Sequence, residues 1–557
     1  MGISDDMLAP RLPLALTMPE RLQLELNDAD NAARLLAVHG DALVFVDGKG
    51  WAVWDGKRYS FRSGGLAAIE IGHKLREIVL DESEAAIRMA NFDPEDVLTF
   101  MEEAERKRPP MYFRDTEDAI AFLRKGVAAG LRKHATKCGN LDKIKKALES
   151  AEHRRRAEVE DLDNDPFAFV TPNGQIDLRK VAAWTPPEAA EPEEIARSKA
   201  GWLTPTDRAL LPTKCGGVPF DPSADCPKWR DFLALILPDA DIRACVQRIL
   251  GASLFGENRA QICVLLRGPG GNGKSTLLNG LQHVLGTADG YAAPCKIEMF
   301  LETGNASSGG PTPEEINLPG ARAYIATEPG ARDILSAKKI KGLTGGDKRM
   351  SRGLNKDFFF WTPRGIPIIS CNRTPKIKDE DEGTRRRLVF IPFDVNLRAL
   401  PAEQQRAQGE VEAELRREGA GILNWLLDGF AEFMRRGVDM PEAMATLKAN
   451  LMQAADPVGV FLDDMTTRDP GDRVNVTEFY NVLERWCETE GHTLYQMATV
   501  RSIMIEKGFE TTKYQGRSCW RGLAWSPDAE ALVREVVGDH AWTRAPATPP
   551  EPEDPPF

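Results

Sequence analysis

Histidine is scarce in this chain and cysteine is scattered: seven and nine residues respectively among 557. No C-x-x-C pair or histidine cluster provides the spacing of a structural zinc site, so the thiols read as reduced cytosolic cysteines. No apolar run reaches the roughly 20 residues that a bilayer crossing requires. The opening MGISDD lacks the basic flank and apolar core of a leader, and Asp6 occupies the Ser/Thr position of a myristoylation signal. Neither export nor a membrane partner is expected. An excess of positive charge is missing too. The formal charge of -12 excludes a surface coated in nucleic acid, so DNA contacts have to come from a local basic cluster.

Glycine, by contrast, is concentrated where it matters. Residues 261–286, QICVLLRGPGGNGKSTLLNGLQHVLG, run from a short apolar stretch through a glycine-crowded turn into a helix-period pattern. Gly268, Gly273, Lys274 and Ser275 fill the G-x-x-x-x-G-K-[ST] pattern, which binds phosphate for three physical reasons. Gly270 and Gly271 allow backbone angles that side chains forbid, so the amides of Asn272 and its neighbours can converge on an anion. A helix starting at Lys274 adds its positive dipole end. The lysine reaches the β- and γ-phosphates, while the hydroxyls of Ser275 and Thr276 lie at the first turn, with Ser275 placed to ligate Mg²⁺. ATP and Mg²⁺ are the expected cofactors.

Ahead of this loop, turn signals at Asp47-Gly48 and Asp55-Gly56 separate ALVFV, WAVW and RYSF, predicting a small antiparallel meander with Trp51, Trp54 and Tyr59 in its core. Residues 65–156 are helix-patterned and highly charged. Asp161, Asp163 and Asp165 imitate the start of a calcium loop, but Pro166 replaces its glycine and Pro172 its closing glutamate. VTPNGQIDLRK reads as a hairpin, and two helical segments from Trp229 to Phe255 form a collar before the loop strand.

Beyond the loop helix, the apolar run 321–326 delivers Glu328 to a strand end, where a parallel sheet places a metal-binding and water-activating carboxylate. Residues 338–356 then carry seven basic side chains against Asp347 alone, broken by glycines. This predicts a projecting basic hairpin, with Lys348, Arg349, Arg352 and Lys356 as DNA contacts, leading into FFFW, which reads as a core strand rather than a base-stacking platform. GIPIISCN ends a further buried strand on Asn372, which is suited to poising a water, and Arg385, Arg386 and Arg387 precede another. An arginine from there is suited to transition-state charge on a neighbouring subunit's γ-phosphate. The final part reads as helices followed by two strands around Gln515-Gly516, a winged-helix-like module, then a proline-rich acidic tail.

NGQIDLR, GPGGNGKST, IATEPG, IKGLTGGD, GIPIISCN and TRRRLVFIPF, in this order, resemble the phage and plasmid helicase-primase proteins related to the poxvirus helicase-primase. These are superfamily 3 helicases within the AAA+ ATPases. The likeness spans roughly residues 20 to 530. It implies a homo-hexameric ring that hydrolyses ATP between subunits and draws single-stranded DNA from a fork, in the cytosol of a bacterial host. It also implies Lys274 and Ser275 at nucleotide and metal, Glu328 as second-motif acid and metal ligand, Asn372 as sensor, and Arg386 or Arg387 as finger. Two departures stand out. Pro329 follows Glu328 where relatives often have adjacent acids, and Arg352-Gly353 replaces a Lys-His pair at the hairpin tip. The primase domain that many members carry is not recognisable here.

The expected architecture is α/β. It comprises a tail (1–19), an N-terminal α+β and helical domain (20–205), the collar (206–256), an AAA+ core (257–400), a helical segment (401–455), the winged-helix-like module (456–530) and an acidic tail (531–557). The alternative to a replicative helicase is an ATP-switched origin-binding initiator or scaffold. The last residues, EPEDPPF, resemble the acidic tip of bacterial single-stranded-DNA-binding protein, which implies a host replication protein as a further partner.

Overall fold

The computed structural model describes residues 16–187, 191–302, 313–327, 329, 333–352, 358–372, 375–378, 382–401, 405–455, 457–490 and 494–538. Glu328, Lys356 and the C-terminal tip lie outside the described residues. The chain divides into two compact units, Met1–Pro441 and Glu442–Phe557. The division falls ahead of the expected 455/456 boundary because helix Glu442–Ala455 contacts helix Pro457–Met465 rather than ending the first unit.

In the first unit, helices Met18–Leu22 and Asp28–His39 precede the expected meander, Leu43–Val46, Gly50–Trp54 and Tyr59–Ser60, which Arg156–Ala157 joins in parallel on its far edge. Trp51 and Tyr59 are buried, and Trp54 lies edge-on to Tyr59 with the Arg208 guanidinium 4.7 Å from its ring. Five helices between Gly64 and Glu152 complete this region. One of them, Leu75–Met89, meets helix Asp28–His39 through a fully buried ion pair, Arg34 Nε to Glu82 Oε2 at 2.7 Å. Arg34 also donates to the carbonyls of Glu25 and Leu24, so its fork is engaged on three sides. Burial pushes the Glu82 carboxyl upward despite the Arg34 bond. The aspartates of the calcium-like run have other work. Asp163 accepts from the Thr213 and Lys214 amides, Asp165 pairs with Arg179 at 2.8 Å, and Asp161 caps the Glu158 amide.

The second half of the unit is a five-stranded sheet, wholly parallel. Its strands in chain order are β1 (Cys263–Arg267), β2 (Ala292–Pro294), β3 (Ala323–Thr327), β4 (Ile366–Cys371) and β5 (Leu388–Pro392), and in space they run β5-β1-β4-β3-β2. β1, β3, β4 and β5 are buried along nearly their whole length, as strands covered on both faces must be. Helix α1 (Lys274–Leu285) follows β1. The collar consists of helices Pro227–Ile236 and Ala240–Ala252. The latter crosses helix Gly419–Arg436 at Gly251 and Gly429, where a Cβ on either would stand 2.4 Å or less from the other helix's backbone.

The basic run forms an antiparallel pair, Arg349–Arg352 with Phe358–Trp361, registered Met350 to Phe360 and Arg352 to Phe358. FFFW is not wholly core as expected. Phe359 and Trp361 are buried, whereas Phe358 and Phe360 are 46% and 50% exposed. The cause is the period of two: a ribbon covered on one face sends alternate side chains to solvent.

The second unit packs helices Pro457–Met465, Val476–Glu490 and Met497–Glu506 on a three-stranded antiparallel sheet around Phe461, Phe479, Trp486 and Trp520. The hairpin about Gln515-Gly516 is as expected, both residues having positive φ (46° and 77°). Its third strand, Thr466–Asn475, was not foreseen. Its Asp-Pro-Gly interrupts the alternation, and the pairing shifts register between Arg468 and Arg473.

Candidate nucleotide-binding site

The loop between β1 and α1 is shaped by two glycines, Gly271 and Gly273, at φ +82° and +85°. Gly270 is not one of them. It has no positive φ and a Cβ there would meet open space, so Gly271 is as expected and Gly273 takes the part expected of Gly270. Gly268 is needed for closeness instead: a Cβ would fall 2.1 Å from the Phe393 carbonyl oxygen. Asn272 Nδ2 donates to that same carbonyl at 2.8 Å and fastens the loop to the exit of β5.

Lys274 is 4% exposed. Its ammonium donates to the Gly268 carbonyl at 2.6 Å, the Asn272 side-chain oxygen at 2.9 Å, the Pro269 carbonyl at 3.3 Å and Asn372 Oδ1 at 3.4 Å. A buried ammonium needs acceptors wherever it lies. Here it finds them within its own loop and on the adjacent strand. Asn372 comes to it because β4 lies between β1 and β3, so the residue after β4 stands between the loop and the end of β3. With strands about 4.8 Å apart, the lysine, the asparagine and the end of β3 fall within about 10 Å. Glu328, next after β3, lies outside the described residues, as stated. Ser275 is exposed at the first turn of α1, and Thr276 is buried.

Beside the loop opens a cavity of about 500 Å³, lined by Phe232, Leu235, Gly271, Gly273, Thr276, Leu397, Arg398 and Val411 among others. Its size suits a small molecule, and its mixture of apolar walls with a few polar groups is that of a ligand site. Sequence reasoning missed Phe232 and Arg398. They come from the collar and from the segment after β5, and neither belongs to a local motif. Arg398 stands over the loop, its Nε 3.0 Å from where a Gly271 Cβ would be.

The donor set fits a nucleoside triphosphate with Mg²⁺: an enclosed ammonium, a helix start and a hydroxyl at its first turn. Among the described residues no group of three His, Cys, Asp or Glu could hold a metal by itself.

The arginine run does not join this cluster. Arg385, Arg386 and Arg387 end helix Glu382–Arg387, at the start of β5 and thus at the opposite end of the parallel sheet from the loop. Five strand residues, about 16 Å, intervene. Arg387 donates to the Gly383 carbonyl, Thr344 Oγ1 and Gln261 Oε1 at 2.6, 3.1 and 3.2 Å. Arg386 is exposed, with Gln261 Oε1 at 3.2 Å.

The basic hairpin is also divided. Arg349 pairs with the largely buried Glu315, whose other oxygen accepts from Ser351. Lys348 pairs with Glu160 at 2.8 Å on the surface. Arg352 lies over the Phe358 ring, 4.8 Å from its centroid.

Comparison with known proteins bears on the region ahead of the loop. Residues 32–238 match the family described as D5 N terminal like. A protein of Acanthamoeba polyphaga mimivirus is 29% identical over 269 residues, 46% of this chain and 28% of its own length. One of Frog virus 3 is 25% identical over 269 residues, 46% of this chain and 27% of its own. Both bear the name putative helicase. The chain thus spans little more than a quarter of the length of these curated relatives. The apo structure of the NrS-1 C terminal region aligns with 60% of this chain and 90% of its own at 13% identity, with a TM-score of 0.35, too loose to bear on the fold. These similarities agree with the resemblance to the helicase-primase proteins related to the poxvirus helicase-primase.

Proposed function

We propose that the chain is the motor subunit of an ATP-dependent replicative DNA helicase of a phage or plasmid-like element. In this reading it is an AAA+ ATPase of superfamily 3 that works as a hexameric ring on single-stranded DNA, with a winged-helix module after the motor. The observation that carries the reading is the Lys274 ammonium, enclosed by its loop at the carboxyl end of a parallel sheet with Asn372 at 3.4 Å on the next strand. Ligands of open α/β sheets bind at that end.

In the proposed mechanism Lys274 exchanges its loop carbonyls for the β- and γ-phosphate oxygens, and Ser275 holds the metal. Bound Mg²⁺ supplies charge neutralisation on the phosphates. Asn372 orients the attacking water and Glu328 accepts its proton. Arg386 serves the site of the neighbouring subunit, which its place at the far end of the sheet favours. The exposed basic hairpin meets the DNA. The experiment is ATP-driven separation of a forked duplex by assembled rings. Tight ATP binding and ring assembly without strand separation would replace this reading with an initiator or scaffold.

A further inference from the structure

The face of the hairpin turned to solvent carries an unusual combination. Register places Met350 beside Phe360 and Arg352 beside Phe358, and alternation puts all four on one face of the ribbon. The opposite face is closed: Phe359 and Trp361 are buried, and the Trp361 indole donates to Ser351 Oγ at 2.9 Å. Met350, Phe358 and Phe360 are 54%, 46% and 50% exposed. Each ring has a cation over it, Arg352 at 4.8 Å from the Phe358 centroid and Lys348 at 5.1 Å from that of Phe360. The aromatic pair therefore directly follows a stretch of this -12 chain, residues 338–356, in which basic residues outnumber acidic ones seven to one.

We infer that Phe358 and Phe360 form a stacking platform for the bases of an unpaired nucleic-acid strand, with Arg352 placed for its phosphates. The inference rests on the proposed function and adds to it a contact that basic charge alone does not supply. Base stacking on aromatic rings is tolerant of sequence, since every base has a π face. Phosphate contacts are equally indifferent to sequence. A ribbon offering both suits a motor that must pass any strand. The Lys348–Glu160 pair is a partly exposed surface pair and weak, so Lys348 remains able to exchange Glu160 for phosphate. Arg349 cannot serve in the same way, because Glu315 holds it on the closed face. The other occupant of such a face would be a second copy of this chain. Local charge reversal favours the polyanion.

The experiment measures binding of full-length protein to oligothymidine bearing a single 2-aminopurine. Wild type quenches the probe on binding, by stacking. Phe358→Ala and Phe360→Ala each weaken binding about fivefold to a hundredfold and reduce the quenching, while the salt slope keeps its wild-type value. Phe358→Leu and Phe360→Leu keep the apolar surface and so the fold, yet show the same loss. Arg352→Ala lowers both affinity and salt slope. Phenylalanine variants that bind and quench like wild type while Arg352→Ala weakens binding would overturn the platform and leave the basic hairpin standing. Unchanged DNA affinity with a lowered sedimenting mass in the leucine variants would overturn it in favour of a contact between copies. A wild-type ring that binds no single strand at all would overturn the proposed function itself.

Discussion

Arg386 provides the sharpest test of where each site of the proposed ATPase is completed. It is exposed at the start of β5, about 16 Å of strand from the loop of its own chain, farther than one arginine side chain can span. Arg386→Ala should therefore leave nucleotide affinity near wild type and abolish turnover, whereas Lys274→Ala abolishes turnover by removing the cation from the phosphates of its own site. The magnitude follows from assembly. In rings formed at random from equal amounts of the two variants, an intact site requires a subunit with Lys274 beside a neighbour with Arg386. Each condition is met half the time, so about one quarter of the interfaces are whole. Independent sites would then return about one quarter of wild-type turnover, and coordinated ones less. The assay is phosphate release after co-refolding or co-expression of the two chains, with each variant alone as the baseline. Mixed rings of normal size with no recovery would show that both residues act within one subunit, refuting the argument from strand length. Arg387→Ala should complement poorly for another reason: its bonds to Gly383, Thr344 and Gln261 make it a brace.

Lys274→Ala should lower the ATPase rate about a hundredfold or more, measured under saturating ATP, since it removes a preorganised cation from the phosphates. Glu328→Gln should retain ATP binding and accumulate the bound state, seen as a slow-release nucleotide complex. Retained turnover would show that another group takes the proton. Glu82→Ala should destabilise the N-terminal helices by about 3 to 5 kcal/mol in denaturant unfolding, because Arg34 would remain buried without its carboxylate. Burial, and then the nearby Lys214, push the Lys49 ammonium down to about 7. The unfolded chain binds that proton up to about pH 10.4, so stability from this residue rises with pH across the interval. Relative to Lys49→Met, wild type should gain up to about 4 kcal/mol between pH 7 and 10. Parallel pH profiles of unfolding for the two proteins would show that Lys49 keeps its charge in the fold.

The loop and its strand were legible because their signals are local. Glycines, the lysine and the change of period from strand to helix lie within 26 residues. Asn372 and the arginine run could be assigned to strand ends for the same reason, each lying at one end of an apolar stretch. What was not legible depends on distant partners. Arg349 looks identical to Arg352 in the sequence, and only Glu315, brought up from another segment, turns it inward. FFFW gives no clue to which rings face solvent, since all four residues are apolar and the covered side is set by tertiary packing. Phe232 and Arg398 reach the cavity from segments more than 160 residues apart, beyond the range of any spacing rule.

The strand order has a consequence for synthesis. β1 is flanked by β4 and β5, which leave the ribosome roughly 100 to 125 residues after it. At about 5 to 20 residues per second, its apolar edges wait between about 5 and 25 seconds for their native neighbours. During that interval the nascent chain presents CVLL to whatever else is extended nearby, including the same segment of a chain on the next ribosome. Yield in a heterologous host should then respond to translation speed and to chaperones acting during synthesis, even where the finished protein is stable.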